Sequence, residues 1–172
     1  MDDFRIEIPK RAFINAEIIQ FAARTIDFQN CVKEVINKYG LSQYEYFNPA
    51  YVVSLLYCLI VVPKEMWKLD KNHHLFKQLE KDNIIDYFNV MIKDKEYNKY
   101  PVYQLIRHLR NAVSHADFAI DSNMTFIFTD RDLRQKNRPK IFEASITIEK
   151  MSFFLSIAGA ALANIQKSVS LH

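Results

Sequence analysis

Glycine and proline are scarce in this chain, and their scarcity restricts the folds that it can form. Only 2 of the 172 residues are Gly and 5 are Pro, whereas a sandwich or barrel of many strands needs such residues at its frequent turns. Long helices need few turns. The hydrophobic fraction of 49% is enough to build a core without disulfides or metals, and it excludes long disordered stretches. We therefore predict a mainly all-α fold in a single domain over residues 1–172.

The spacing of apolar residues predicts where the helices lie, because a helical face repeats every three to four residues. Asn48 followed by Pro49 is typical of a helix start, and Pro63 is expected to kink or end the strongly apolar helix that follows. In the last helix, four small residues at 158–161 allow close approach of another helix, within the core or at a dimer seam. The predicted helices span residues 10–39, 49–62 with an extension to 67, 75–81, 84–92, 102–116 and 148–168.

Two segments just before the last helix have the character of strands. Residues 124–129 (MTFIFT) and 141–148 (IFEASITI) alternate roughly between apolar and polar positions and predict a small β-hairpin. The loop between them, 130–140, is polar and basic. Its Arg131 and Arg134 are candidate contacts to an RNA backbone, although a polar loop also suits an ordinary solvent-exposed hairpin tip.

Three features limit the partners and the compartment that suit this chain: its charge, its cysteines and its apolar runs. A net charge of +3 permits an RNA or DNA partner without requiring one. Cys31 and Cys58 form no CxxC pattern, which favours buried thiols in a reducing compartment over a disulfide framework or a zinc site. The longest apolar run, 51–63, is too short to cross a bilayer, and the acidic N-terminus does not resemble a signal peptide. We expect a cytoplasmic protein with no membrane partner, no metal and no cofactor.

The segment VYQLIRHLRNAVSHADF, residues 102–118, contains the residues best suited to chemistry. On a helix, side chains three and four positions apart lie on the same face. The predicted core face consists of Val102, Leu105, Ile106, Leu109, Ala112, Val113 and Ala116. The opposite side has a polar stripe of Gln104, His108, Asn111 and His115, with Arg107, Arg110 and Ser114 beside it.

These polar residue types suit a phosphodiester site. Histidine exchanges a proton near neutral pH. Arginine binds phosphate oxygens through a planar fork of donors, and asparagine can hold the phosphate or orient the imidazole. No metal is needed if the nucleophile is the 2′-hydroxyl of RNA. The alternative is a solvated helix face that happens to contain a histidine and two arginines, since such patterns are common on exposed helices.

The string Arg110-Asn111-Ala112-Val113-Ser114-His115 resembles the signature of the HEPN superfamily (higher eukaryotes and prokaryotes nucleotide-binding). The longer string RHLRNAVSHADF, followed by a hairpin and a final helix, resembles prokaryotic, plasmid-type HEPN proteins. The resemblance implies a bundle of four to five helices, with the hairpin before the last one, that forms a homodimer. Two signature helices would then meet in a composite cleft. It also implies a metal-independent endoribonuclease that leaves a 2′,3′-cyclic phosphate.

The resemblance assigns roles to three residues. Arg110 is expected to contact the scissile phosphate, His115 to act as general acid or base, and Asn111 to support them. From helix geometry alone, His108, Ser114 and Arg107 are added as weaker substrate contacts, together with Arg131 and Arg134 from the loop. Asp117, where one HEPN branch has a tyrosine, is expected to bond His115 or to cap the helix end.

The implied partners are RNA, a second copy of the chain and an antitoxin or other regulatory protein. The implied setting is a toxin, plasmid-maintenance or phage-defence system. Two alternatives remain open at this stage, because a fold does not determine a function. One is a non-catalytic HEPN module that binds RNA or a nucleotide. The other is a helical interaction protein with no nucleic-acid role.

Overall fold

A computed structural model describes the backbone of residues 7–42, 47–67 and 69–169. Its helices are α1 (Ile8–Ala22), α2 (Ile26–Lys38), α3 (Pro49–Leu56), α4 (Val62–Trp67), α5 (His74–Lys81), α6 (Pro101–Ser114) and α7 (Ile148–Val169). A π-helical turn, Tyr57–Val61, joins α3 to α4, and a 3-10 turn spans Ile84–Tyr87. Its strands are β1 (Asn89–Ile92), β2 (Phe118–Ile120), β3 (Thr125–Arg131) and β4 (Lys140–Thr147).

The prediction of a mainly all-α bundle is wrong, because the chain has a mixed α+β fold. The predicted hairpin is present as β3 and β4, which pair antiparallel with Phe126 opposite Ile146. Two further strands extend it into a four-stranded sheet with the order β1-β4-β3-β2. β1 lies within the segment 84–92 that periodicity assigned to a helix. β2 has three residues, which is too short to show an alternating pattern.

The long helix predicted over 10–39 is divided into α1 and α2 by a turn at residues 23–25. Thr25 ends the first helix and begins the second, since its Oγ1 donates to the carbonyl of Ala22 over 2.7 Å and accepts from the amide of Phe28 over 3.3 Å. A threonine side chain at such an N-cap replaces a hydrogen bond that the helix itself cannot make. None of the 13 residues of α2 is buried.

The central apolar helix begins as predicted, because Oδ1 of Asn48 accepts from the amide of Tyr51 over 3.1 Å. The predicted disturbance at Pro63 takes the form of the π-helical turn before it. There the amide of Val62 bonds the carbonyl of Tyr57, five residues back. Proline lacks an amide hydrogen and crowds the preceding helical turn. A wider, π-helical turn before the proline is a common way to relieve that crowding.

Helix α6 packs against β3 and against the π-helical turn, while α7 packs against α1 and α5. The predicted core face of α6 is confirmed for six residues, which are at most 8% exposed: Val102, Leu105, Ile106, Leu109, Ala112 and Val113. Ala116 is exposed and lies beyond the helix end. No helix in the described part of the chain has both the length and the apolarity required to cross a bilayer.

Candidate functional site

The carboxyl end of α6 exposes the last residues of the HEPN-like string. The amide of Asp117 bonds the carbonyl of Ala112 over 2.8 Å, and the amide of Ala116 bonds that of Val113 over 3.2 Å. These two bonds define a Schellman cap, which places Ala116 in the left-handed region at φ 52°. Glycine is the usual residue there, so an alanine stores some backbone strain beside the site. His115 precedes it and is exposed.

Arg110 is held by two neighbours on the side of α6. Its Nη1 donates to Oδ1 of Asn111 over 2.6 Å, and its Nη2 forms an ion pair with Oε1 of Glu65 in α4. Its Nε is buried and has no hydrogen-bond partner among the residues that the structure describes. The side chain is 29% exposed. A phosphate that reaches this guanidinium from solvent therefore competes with the carboxylate of Glu65.

Asn111 is held in turn by the sheet. Its Nδ2 donates to Oδ2 of Asp130, in β3, over 2.7 Å. The same oxygen lies 2.7 Å from Nδ1 of His108. On the other side of the ring, Nε2 of His108 lies 3.2 Å from Oδ2 of Asp94 in the loop after β1. The polar stripe of α6 therefore leads from a buried histidine, through a half-buried asparagine, to the exposed His115.

The carboxylate of Asp130 is ionised more readily than usual. Burial alone would raise its pKa, but hydrogen bonds from His108 and Asn111 and the nearby charges of His108 and Arg107 outweigh that effect and lower the pKa. Asp130 is 5% exposed, so this negative charge lies inside the protein. It gives the site a fixed anchor for Asn111.

Asp130, Asp94 and Glu65 were not predicted as site residues. Asp130 had a usable signal, because alternate strand residues share a face and the inward positions Phe126 and Phe128 lead to 130. The predicted strand ended at 129, which placed Asp130 in the loop. Asp94 and Glu65 had no such signal, since each reaches α6 from a distant element.

The other residues predicted to contact a substrate differ in their burial and in their partners. His108 is fully buried with both ring nitrogens engaged, so it supports Asn111 and does not meet a substrate, contrary to expectation. Arg107 pairs with Asp94 at 3.5 Å, and Ser114 is exposed next to His115. Arg131 pairs with Asp117 at 2.8 Å.

Asp117 fulfils one of the two roles expected of it, because its amide caps the end of α6 by bonding the carbonyl of Ala112 over 2.8 Å. Its carboxylate accepts from Arg131 and not from His115. Its carbonyl accepts from the amide of Thr129 over 2.9 Å, so Asp117 also ties the end of α6 to the sheet. Arg134 folds back onto Asp132 at 2.9 Å and is 89% exposed at the hairpin tip. Arg131 is therefore near the helix end, whereas Arg134 is part of the exposed tip.

The described residues offer no metal site at this position. No group of three or more His, Cys, Asp or Glu side chains in the described part of the chain is arranged to hold a metal ion. Cys31 is exposed, whereas Cys58 is partly buried, and both are free thiols. Burial raises the pKa of Cys58, which makes it a poor nucleophile.

Comparisons with known proteins bear on the resemblance first noted at residues 110–115. A family model described as HEPN pEK499 p136 matches residues 2–168. The match covers nearly the whole chain and includes the α6 site, and it confirms the resemblance to plasmid-type HEPN proteins. Comparisons with curated proteins and with solved structures found no match.

Proposed function

Because the chain belongs to the HEPN pEK499 p136 family, we propose that it is a metal-independent endoribonuclease acting as a homodimer. Membership of the HEPN superfamily suggests a nuclease or a nucleotide-binding module. The observation that favours a nuclease is the end of α6. There a partly exposed arginine is oriented by an asparagine, and one turn further along lies an exposed histidine whose ring has no hydrogen-bond partner among the described residues.

The proposed reaction is an attack of the RNA 2′-hydroxyl oxygen on the adjacent phosphorus. The bond from phosphorus to the 5′-oxygen breaks, which leaves a 2′,3′-cyclic phosphate and a 5′-hydroxyl end. Arg110 contacts the phosphate and stabilises the negative charge that grows on its oxygens. The terminal nitrogens of the guanidinium make this contact, because its Nε is buried. Asn111 keeps the guanidinium oriented for this contact.

His115 transfers protons in this proposal. One proton leaves the 2′-hydroxyl and another reaches the 5′-oxygen, so two proton-transfer groups are needed at once. A homodimer with a composite cleft supplies two copies of His115. Arg107, Ser114 and Arg131 lie on or near the same helix and are proposed as weaker contacts along the RNA, with Arg134 further out on the hairpin tip.

The cellular role is proposed from the family alone. A single HEPN-like domain over residues 1–172, acting in the cytoplasm, fits a toxin, plasmid-maintenance or phage-defence system with an antitoxin or another regulatory protein. The competing proposal is an HEPN module that binds RNA or a nucleotide without cleaving it. It relies on the same Arg110 and Asn111, which would bind a phosphate without any proton transfer by His115.

The test compares wild type with His115→Ala and Arg110→Ala, each incubated with total RNA and with tRNA, with and without a chelator. The matched control is His74→Ala, which removes an exposed histidine from α5. We expect chelator-resistant cleavage with cyclic phosphate ends by wild type and the control. Removal of His115 or Arg110 should lower the rate by about 100-fold or more, as for other proton-transfer groups and charge-stabilising donors.

The outcomes separate the two proposals. Cleavage that the chelator abolishes, or full activity in His115→Ala, would contradict the nuclease. RNA binding without cleavage by the wild type, lost in Arg110→Ala, would support the binding module instead. Circular dichroism of every variant confirms that the fold is retained.

A further inference from the structure

His108 has two carboxylates facing its two ring nitrogens, one on each side. The side chain is 0% exposed, and the ring stacks on Phe142 of β4 with centroids 4.4 Å apart and an interplanar angle of 8°. A ring enclosed in this way does not reach a substrate. The reaction proposed above assigns His108 no step. Its two polar contacts inside the core therefore need another explanation.

The two carboxylates face the ring nitrogens of His108 as possible hydrogen-bond acceptors. A neutral imidazole has one donor and one acceptor nitrogen, so a ring that donates to both carboxylates has a proton on each nitrogen. Asp94 also lies 3.5 Å from a guanidinium nitrogen of Arg107, and Asp130 also accepts from Asn111. The charged groups around the ring are therefore Asp94, Asp130 and Arg107.

Asp130 connects His108 to the proposed active site. Its Oδ2 lies 2.7 Å from Nδ1 of His108 and accepts from Nδ2 of Asn111 over 2.7 Å. The contact with Asn111 determines which way that amide is turned, because the opposite orientation would place its oxygen against the carboxylate. The amide oxygen then faces Nη1 of Arg110 at 2.6 Å. The orientation of Arg110 is thus linked to His108 through Asn111 and Asp130.

We propose that His108, as an imidazolium held between Asp94 and Asp130, is a positioning residue that orients Asn111 and through it Arg110. A carboxylate whose partner is a buried cation is held more firmly than one exposed to water. Outer partners that fix the groups in contact with a substrate commonly affect rates strongly. The kinetic part of this inference rests on the proposed ribonuclease function, whereas the charge state of His108 and the orientation of Asn111 do not.

The first arm of the test uses nitrogen-15 NMR of the full-length protein at pH 7. We expect the His108 ring to show two protonated nitrogens, with its signals assigned by their loss in His108→Phe. A ring with a single protonated nitrogen would overturn the proposal. The side-chain amide signal of Asn111 is followed in the same samples, and it should shift in His108→Phe because its anchor has lost a partner.

The second arm measures cleavage of a defined RNA. His108→Phe retains a ring that can stack on Phe142 but has no donor, and we expect kcat to fall about 10- to 100-fold with little change in KM. Because that variant removes a partner from each of two carboxylates and could weaken the fold, Asp130→Asn and Asp130→Ala serve as a second pair. Asparagine keeps an acceptor for Asn111 and should preserve more activity than alanine.

The results distinguish this inference from the proposed function. A folded His108→Phe with the kcat and the Asn111 amide signal of wild type would overturn the positioning role. Equal kcat for Asp130→Asn and Asp130→Ala would do the same. If the wild type cleaves no RNA, the ribonuclease proposal fails, and the ring-nitrogen and Asn111 signals still decide whether His108 holds Asn111.

Discussion

His108 and His115 lie on the same helix face, two turns apart, but in opposite environments. His108 is 0% exposed with both ring nitrogens beside carboxylates, whereas His115 is exposed at the helix end. Helical spacing placed both on one polar stripe and did not show that their burial differs, although the HEPN-like string singled out His115. The difference comes from the sheet, because Asp130 of β3 and Phe142 of β4 enclose His108, whereas His115 follows the last residue of α6. Burial, and not residue type, therefore separates the positioning histidine from the one proposed to transfer protons.

The pair between Glu65 and Arg110 leads to the first prediction. Glu65→Gln should bind RNA about two- to fivefold more tightly, because a phosphate no longer displaces a carboxylate from Arg110; exposed ion pairs have energies of about this size. Binding is measured by fluorescence anisotropy in a His115→Ala background, which prevents cleavage. Glu80→Gln, at an exposed position on α5, removes the same charge and serves as the control. Unchanged or weaker binding would show that Glu65 supports Arg110 instead of competing for it.

The lowered pKa of Asp130 predicts how stability depends on pH. A carboxyl group with a depressed folded-state pKa stabilises the protein fully above its unfolded-state pKa, and that contribution is lost as the pH falls through the folded value. Asp130→Asn should therefore lower the free energy of unfolding by about 1–3 kcal/mol at pH 7, and the deficit should shrink below pH 3.8. Urea unfolding at several pH values provides the measurement. A deficit that stays constant down to pH 2 would contradict the assignment.

The contact between α6 and β3 assembles the site at the scale of elements. Strand alternation directs Phe126, Phe128 and Asp130 to the face that α6 covers. The register of β3 with β4 shifts between Asp130 and Arg131, and such bulges re-aim side chains near functional sites. Here the inward Asp130 meets His108, while Arg131 turns to Asp117 at the end of α6. One strand thus supports both ends of the polar stripe.

The packing of α7 on α1 gives a prediction at the same scale. Gly159 is buried, and a Cβ placed there would overlap the ring of Phe13. Gly159 therefore serves packing inside this chain, as do the buried Ala158 and Ala161, whereas Ala160 is exposed. Gly159→Ala should lower the free energy of unfolding by about 1–3 kcal/mol through overpacking, although alanine favours a helix by up to about 1 kcal/mol. Chemical denaturation measures the change.

Two further variants test the cause of that change. Combining Gly159→Ala with Phe13→Leu should recover more stability than the two single changes predict by addition, because the residues are in contact. Ser156→Ala, at an exposed position of the same helix, should change stability by less than about 0.5 kcal/mol. Additive effects in the double variant would mean that the Phe13 contact is not what excludes a larger residue.

The whole molecule offers one exposed His115 per chain, and the proposed reaction needs two proton-transfer groups. HEPN domains commonly dimerise, and a composite cleft would bring together the exposed ends of two α6 helices. The structure of a single chain is consistent with that requirement, since Ser114, His115 and Ala116 are all exposed. The activity should therefore be a property of the assembly and not of one chain.

Mixing variants tests this composite cleft. We expect wild type to sediment at twice the chain mass of 20.3 kDa. Wild type mixed with an excess of His115→Ala should lose more activity than dilution alone explains, because a mixed dimer holds one His115 where the reaction needs two. A mixture of wild type with the His74→Ala control should show no such loss. A monomer with full activity would rule out a shared cleft.

The features that could be predicted from the sequence are those that depend on residues close together along the chain. Asn48 starts a helix, apolar spacing identifies the core face of α6, and alternation predicts the β3–β4 hairpin, because each follows from local hydrogen bonding and the repeat of one element. Residues 110–115 were sufficient for the family resemblance for the same reason.

Only the tertiary structure decided which residues surround that string. Asp130 and Glu65 come from segments distant in sequence, β1 and β2 exist as strands because they pair with β4 and β3, and His108 is buried because the sheet covers it. These features depend on contacts between elements that no local pattern encodes. The physical reason is that burial and long-range pairing are properties of the assembled fold, whereas helix periodicity and capping are properties of the chain.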